Sequence, residues 1–155
     1  MKLKNACKGW WIAALAAGVD RLTKIWAPAH PAEISGVVRF RPALLNSGVA
    51  FSFLENAGWV LTALIAILVL CVVAWLVRRS DMPQIQRIGL WLIAGGGLGN
   101  LYDRIAYGAV IDFIELTFVK FAVFNVADAC ICVGAALAIV GMCIEEKRKN
   151  AGKAV

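Results

Sequence analysis

Long apolar runs dominate the chain and predict its secondary structure. Three of them occupy residues 59–77, about 85–101 and about 123–143, each close to the ~20 residues that a helix needs to cross a bilayer. A fourth, at about 10–27, is long enough only if Asp20, Arg21 and Lys24 are accepted within it. The pattern predicts an all-α membrane protein with four transmembrane helices, forming one domain over residues 1–155.

The connection between the first two predicted helices has a different pattern. It is too long for a tight turn and contains short runs of β-prone residues such as Val37, Val38 and Phe40. We expect a small β-rich cradle there, on the extracytoplasmic side. In the third apolar run, Gly95 and Gly99 have the spacing of small residues that lets two helices approach closely.

Composition and charge support a membrane protein and predict its orientation. The chain is 61% hydrophobic and only 17% charged, which lies outside the range of soluble domains. Basic residues cluster at both termini and between the second and third predicted helices, and the other two connections hold few, so the positive-inside rule places both termini in the cytoplasm. This topology and anionic lipid account for the net charge of +6 without a nucleic-acid partner.

Neither the histidine nor the cysteines suggest a metal site or another cofactor. His30 is the single histidine and lies in the Pro-rich start of the first connection. The five cysteines are odd in number, mostly lie within apolar runs and lack the spacing of metal ligands, which favours a role as small apolar residues.

Ionisable residues within or beside the predicted helices need an explanation, because charge is costly in a membrane. Asp20 and Lys24 are four residues apart on one helical face, where they either neutralise each other or support an active site. Asp103 and Arg104 lie near the end of the third predicted helix, where pairing or snorkelling can satisfy them.

Asp112 and Asp128 have no basic neighbour in the sequence, and both lie at the predicted extracytoplasmic edge of the membrane. The connection between them is short enough for the chain to double back and bring the carboxyls together. Two carboxylates at one site of low dielectric share a proton, so that one activates water while the other supports the oxyanion. The alternative is that Asp128 caps the N-terminus of its helix. Spacing alone leaves both interpretations open.

Five ordered blocks resemble the lipoprotein signal peptidase family, also called signal peptidase II. They are DRLTK at 20–24, NSGVAFS at 46–52, GNLYDR at 99–104, GAVIDF at 108–113 and FNVAD at 124–128. The segment between Lys24 and Asn46 matches poorly and looks short for the family.

The resemblance implies an intramembrane aspartic endopeptidase of the bacterial inner membrane, with its active site at the extracytoplasmic face. Its substrate would be a prolipoprotein, cut before a cysteine that carries a diacylglyceryl group, and neither a cofactor nor a second subunit is required. Asp112 and Asp128 fall on the positions of the catalytic dyad. Other matching residues would bind substrate or orient the dyad: Asn46, Gly48, Asn100, Arg104 and Asn125. Asp20, Lys24 and Asp103 would support the site.

Three other functions are compatible with parts of the pattern. A presenilin-type protease also pairs two aspartates, but its Gly-x-Gly-Asp motif is absent from the sequence. A small proton-coupled transporter could use Asp20, Asp112 and Asp128 as a relay. A structural membrane scaffold would tolerate the loss of either Asp112 or Asp128.

Overall fold

The computed structural model describes residues 8–48, 58–79 and 81–152, which form a helical bundle with a small sheet at one end. The four helices are α1 (Trp10–Trp26), α2 (Gly58–Arg78), α3 (Gln84–Tyr107) and α4 (Val126–Ala151). A short 3-10 helix, Ala27–Ala29, follows α1, and the strands are β1 (Ala32–Ile34), β2 (Val38–Asn46) and β3 (Val110–Leu116).

The helices lie where the apolar runs predict them, with two differences at their ends. Helix α3 continues to Tyr107 and stops at Gly108, whose positive φ of 72° ends the helix. Helix α4 begins at Val126 rather than near residue 123, because Asn125 has an extended backbone and caps it. By length and hydropathy, α2 and α4 are apolar enough to cross a membrane. Membrane crossing by α1 and α3, and the orientation of the termini, stay predictions.

Helix α3 lies at the centre of the bundle and packs against each of the other three helices. Its glycines make this possible. A Cβ atom added at Gly95 would lie 2.6 Å from the Ala13 carbonyl oxygen of α1, and one at Gly99 would lie 2.5 Å from Oδ2 of Asp20. The predicted close packing at these two glycines is therefore present, and its partner is α1.

We expect Gly99→Ala to lower the stability of the protein by about 1–3 kcal/mol, because the added methyl group displaces the Asp20 carboxylate that fills this space. The matched control is Gly18→Ala on α1, where an added Cβ meets no atom within 4 Å and alanine is the better helix former. Thermal unfolding in detergent measures both. Equal melting temperatures for the two variants would contradict the packing argument.

The sheet is antiparallel with the order β1-β2-β3, and it corrects the predicted location of the cradle. Two strands come from the first connection as predicted, but β3 comes from the connection between α3 and α4. There, Asp112 lies opposite Leu44 and Val110 lies opposite Asn46. The chain then doubles back, with paired backbone hydrogen bonds between Ile114 and Phe124, and enters α4.

Candidate active site

The two aspartates come together where β3 meets the start of α4. Asp112 lies in the middle of β3 and is 1% exposed. Asp128 lies in the first turn of α4 and is half-buried. Asn125 contacts both of them: its Nδ2 donates to Oδ1 of Asp112 at 2.7 Å, and its Oδ1 accepts from the backbone amide of Asp128 at 2.9 Å. The side chain of one asparagine thus joins the Asp112 carboxyl to the backbone of Asp128.

The structure confirms that Asp128 helps to cap its helix. Its Oδ2 accepts from the Asn125 amide at 3.3 Å, which completes a capping box with the Asn125 side chain. Its Oδ1, however, accepts from Nδ2 of Asn100 on α3 at 2.8 Å. The carboxylate therefore serves the helix end and also belongs to a polar network within the bundle.

Asn46 and Gly48 complete the surroundings of Asp112. Nδ2 of Asn46, at the end of β2, donates to Oδ2 of Asp112 at 2.8 Å. The Gly48 amide donates to Oδ1 of Asn46 at 2.9 Å, which orients the asparagine so that its amino group faces the carboxylate. Gly48 has a φ of 82°, a conformation that glycine adopts without strain.

Asn100 is oriented by two donors on its carbonyl oxygen. Nζ of Lys24 donates to this oxygen at 3.0 Å, and Nδ2 of Asn125 does so at 3.2 Å. Because the oxygen faces these donors, Nδ2 of Asn100 faces Asp128. Lys24 thus orients, through Asn100, the donor that faces Asp128, and its charge also acts on Asp112.

The surroundings of Asp112 favour the protonated form of its carboxyl. Burial raises the pKa of Asp112 above its ordinary value, and the charge of Asp128 raises it further. The hydrogen bonds from Asn46 and Asn125 act in the opposite direction, because they stabilise the carboxylate. Since burial is the largest influence, the pair is suited to holding a proton that a solvated carboxyl would lose.

The predicted Asp20–Lys24 pair is present, at 2.8 Å, and it belongs to a larger buried cluster. Nζ of Lys24 also lies 2.8 Å from Oδ2 of Asp103, and Arg21 lies 2.7 Å from Oδ1 of the same residue. Two cations and two anions therefore cancel. We define Asp20, Arg21, Lys24 and Asp103 as the ion cluster. Sequence analysis missed the pairing of Arg21, because it requires knowing that α1 lies against this part of α3.

The ion cluster also holds the backbone on both sides of the aspartate pair. Oδ1 of Asp20 accepts from the amide of Ala127, in the first turn of α4, at 2.8 Å. Oδ2 of Asp103 accepts from the amide of Ile111, next to Asp112, at 3.2 Å. The cluster therefore holds the two segments that carry the carboxyls, and the supporting role that the resemblance implies for Asp20, Lys24 and Asp103 stays a prediction.

Arg104 supplies positive charge and open hydrogen-bond donors beside the pair. Its charge interacts with both Asp112 and Asp128. Its Nε and Nη1 atoms are buried without a hydrogen-bond partner among the described residues, and a Cβ added at Gly48 would lie 3.5 Å from its Nη2. An unpaired buried guanidinium is costly, so these donors are suited to a bound acceptor such as a peptide carbonyl.

The structure thus brings every predicted site residue to one end of the bundle. Residues 49–52 of the NSGVAFS block lie outside the described residues. The missed contribution is β3, which carries Asp112, and the β-prone residues Val110, Ile111, Phe113 and Ile114 on either side of Asp112 were the available signal.

Comparisons with known proteins point to one family. A family model described as Signal peptidase (SPase) II matches residues 12–144. A lipoprotein signal peptidase of Streptococcus agalactiae serotype Ia is 36% identical over 146 residues, covering 90% of this chain and 94% of its own length. A lipoprotein signal peptidase of Coxiella burnetii is 37% identical over 164 residues, covering 96% of this chain and 99% of its own length. A solved structure described as a bacterial membrane enzyme has the same fold, with a TM-score of 0.77 at 23% identity, covering 85% of this chain and 90% of that one.

Proposed function

The chain belongs to the signal peptidase II family, and on this premise we propose that Asp112 and Asp128 form the catalytic pair of an aspartic endopeptidase. Membership of the family makes the protein a protease that removes signal peptides from prolipoproteins. The observation that supports the aspartic mechanism is the contact of Asn125 with both carboxyls. Its side chain donates to the fully buried Asp112 carboxyl, and its backbone amide donates to the Asp128 carboxyl.

The pair performs hydrolysis with one proton between its two carboxyls. The charged carboxylate removes a proton from water as the water oxygen attacks the peptide carbonyl carbon. The protonated carboxyl donates its hydrogen bond to the carbonyl oxygen, which becomes the oxyanion. When the C–N bond breaks, the proton taken from water passes to the leaving amine. The products are a free carboxylic acid and an amine, and the remaining proton stays with the pair.

Arg104 and the turn formed by residues 46–48 would hold the substrate backbone. The unpaired donors of Arg104 are suited to a substrate carbonyl, and Gly48 leaves space beside them where a side chain would intrude. The positive charge of Arg104 also balances the single negative charge of a pair that holds one proton. A neutral peptide therefore enters a site with no net local charge, and its desolvation is less costly.

The location of the site fits a substrate anchored in lipid. The site residues lie at the C-terminal ends of α1 and α3 and at the start of α4, so they share one end of the bundle. We propose that all four helices cross the bacterial inner membrane with both termini in the cytoplasm, which puts the site at the extracytoplasmic edge. A diacylglyceryl cysteine can reach it from within the bilayer, and a single chain provides the complete pair.

The test is a gel-shift assay with purified protein in detergent. It compares a prolipoprotein that carries the diacylglyceryl group with the same precursor without it. We expect cleavage of the lipidated form alone, immediately before the modified cysteine. Equal cleavage of both forms would contradict the proposed substrate specificity, and no cleavage by folded protein would favour the transporter alternative.

The pH profile tests the role of Asn46. Its amide stabilises the charged form of Asp112, so Asn46→Ala raises the pKa of that carboxyl further. The pair then keeps its proton to higher pH, and we expect the alkaline limb of the pH profile of kcat/KM to move to higher pH. Asn150→Ala, at the far end of α4, is the matched control. A downward shift, or an equal shift in the control, would contradict this role.

A further inference from the structure

Arg21 is the member of the ion cluster that reaches the last turn of α3. From α1, its Nη1 donates to Oδ1 of Asp103 at 2.7 Å, and its Nη2 donates to the hydroxyl of Tyr107 at 3.2 Å. The two acceptors are four residues apart, so one guanidinium spans a complete turn of the helix. This turn directly precedes Gly108, where α3 ends.

Two tyrosine rings hold the guanidinium in this orientation. Its central carbon, Cζ, lies 4.9 Å from the centre of the Tyr102 ring and 5.5 Å from the centre of the Tyr107 ring. Both distances are within the range of a cation–π contact. The two rings also pack edge to face, with their centres 6.3 Å apart. The side chain of Arg21 is therefore held by the rings as well as by its hydrogen bonds, although 28% of it is exposed.

The turn that Arg21 spans leads directly to Asp112. Oδ2 of Asp103, the carboxylate oxygen that does not contact Arg21, accepts from the amide of Ile111 at 3.2 Å. Tyr107 and Ile111 are thus the two ends of a short connection between α3 and the part of β3 that carries Asp112. One end is bound to Arg21 and the other to Asp103. Movement of either partner therefore moves the backbone next to Asp112.

Lys24 does not replace Arg21 in this role. An ammonium group has three N–H donors, and Nζ of Lys24 already lies within 3.0 Å of three acceptors, on Asp20, Asp103 and Asn100. It contacts Asp103 at Oδ2, so among the described residues the ion pair of Oδ1 is with Arg21. A planar guanidinium also holds two acceptors in one fixed geometry, whereas an ammonium is a point charge on a flexible chain.

We propose that Arg21 is a positioning residue for the aspartate pair. By bridging Asp103 and Tyr107 it holds the end of α3, and through this turn it fixes the position of Asp112. The proposal rests on the proposed function, in which Asp112 and Asp128 are the catalytic pair. Among the described residues, the hydrogen bonds of Arg21 go to α3 and not to either carboxyl of the pair. Loss of the bridge should therefore slow the chemical step and leave substrate binding nearly unchanged.

Two conservative substitutions test the bridge. Arg21→Lys keeps a cation for Asp103 but lacks the planar fork, and Tyr107→Phe keeps the ring but removes the hydroxyl that accepts from Arg21. We expect each to lower kcat for lipidated prolipoprotein by about tenfold, with KM within about twofold of wild type, because a small displacement of a reacting group has an effect of this size. The melting temperature of each variant in detergent should stay close to that of wild type.

The double variant distinguishes a bridge from two separate effects. If Arg21 and Tyr107 act through one hydrogen bond, Arg21→Lys combined with Tyr107→Phe should lower kcat no further than either substitution alone. Arg79→Lys is the matched control, since Arg79 also spans two partners, Asp81 and Glu145, but at the other end of the bundle. It should leave kcat unchanged. Additive losses in the double variant, or an equal loss in the control, would overturn the proposal.

Hydrogen exchange of the protein without substrate provides a measurement that does not depend on cleavage. The Ile111 amide is protected by its bond to Asp103, so peptides that cover residues 109–113 should exchange faster in Arg21→Lys and Tyr107→Phe than in wild type. Unchanged exchange in both variants would overturn the bridge, and faster exchange with wild-type kcat would overturn the positioning role. A wild-type protein that fails to cleave would overturn the proposed function, and the exchange rates would still show whether Arg21 holds this segment.

Discussion

Asp112→Asn is expected to reduce the cleavage of lipidated prolipoprotein by about 10²- to 10⁴-fold or more, because it removes a member of the proposed catalytic pair. The structure adds a second reason. Both carboxylate oxygens of Asp112 accept from asparagine amino groups, Asn46 on one side and Asn125 on the other. An asparagine at 112 puts an amino group against one of these donors, so the remaining geometry is also disturbed.

Asp128→Asn should show an equal loss, since a shared proton requires both carboxyls. The matched control is Glu115→Gln on the same strand β3, whose carboxylate pairs with Arg39 and Arg41 at the surface and should leave cleavage nearly unchanged. Melting temperatures of all three variants separate lost chemistry from lost folding. Cleavage near the wild-type rate by either folded aspartate variant would contradict the proposed mechanism.

Lys24→Met is expected to cost about 3–5 kcal/mol of stability, because it removes the cation that lies between two buried carboxylates. Asp20 and Asp103 are then left in the interior with a half-buried arginine as the remaining cation of the cluster. Asn100 loses one of the two donors that orient it, so any folded fraction should also cleave more slowly. Thermal unfolding measures the first effect, and kcat measures the second.

An exposed pair of the same spacing provides the control. Lys149 lies four residues after Glu145 on α4 at 2.5 Å, and its side chain is 64% exposed. Lys149→Met should change stability by less than about 1 kcal/mol. If Lys24→Met unfolds the protein on its own, the triple variant with Asp20→Asn and Asp103→Asn should recover much of the stability, because no buried carboxylate is left unpaired. Equal losses in the triple and single variants would contradict the charge argument.

The helices could be predicted because each long apolar run is read directly from the sequence. The ends of the helices could not be predicted as well, since they depend on local backbone conformation and capping contacts. Helix α3 continues past its apolar run and ends at Gly108, and the cap at Asn125 starts α4 later than hydropathy suggests. Strand β3 was missed for a related reason. Its partner β2 lies some 70 residues earlier in the chain, and one sequence contains no information about such pairing.

The candidate site shows the same limit. Spacing suggested that Asp112 and Asp128 could meet, but it could not distinguish a helix cap from a catalytic pair. The structure shows that Asp128 caps the helix and also contacts Asn100. The Asp20–Lys24 pair followed from helical spacing, whereas its extension to Asp103 depends on which faces of α1 and α3 are in contact.

The position of Asn125 makes the start of α4 and the geometry of the aspartate pair depend on one residue. Its side chain accepts from the Asp128 amide, which caps the helix, and donates to the Asp112 carboxyl on β3. Movement of the first turn of α4 relative to β3 therefore changes the spacing of the two carboxyls directly, without passing through the rest of the bundle.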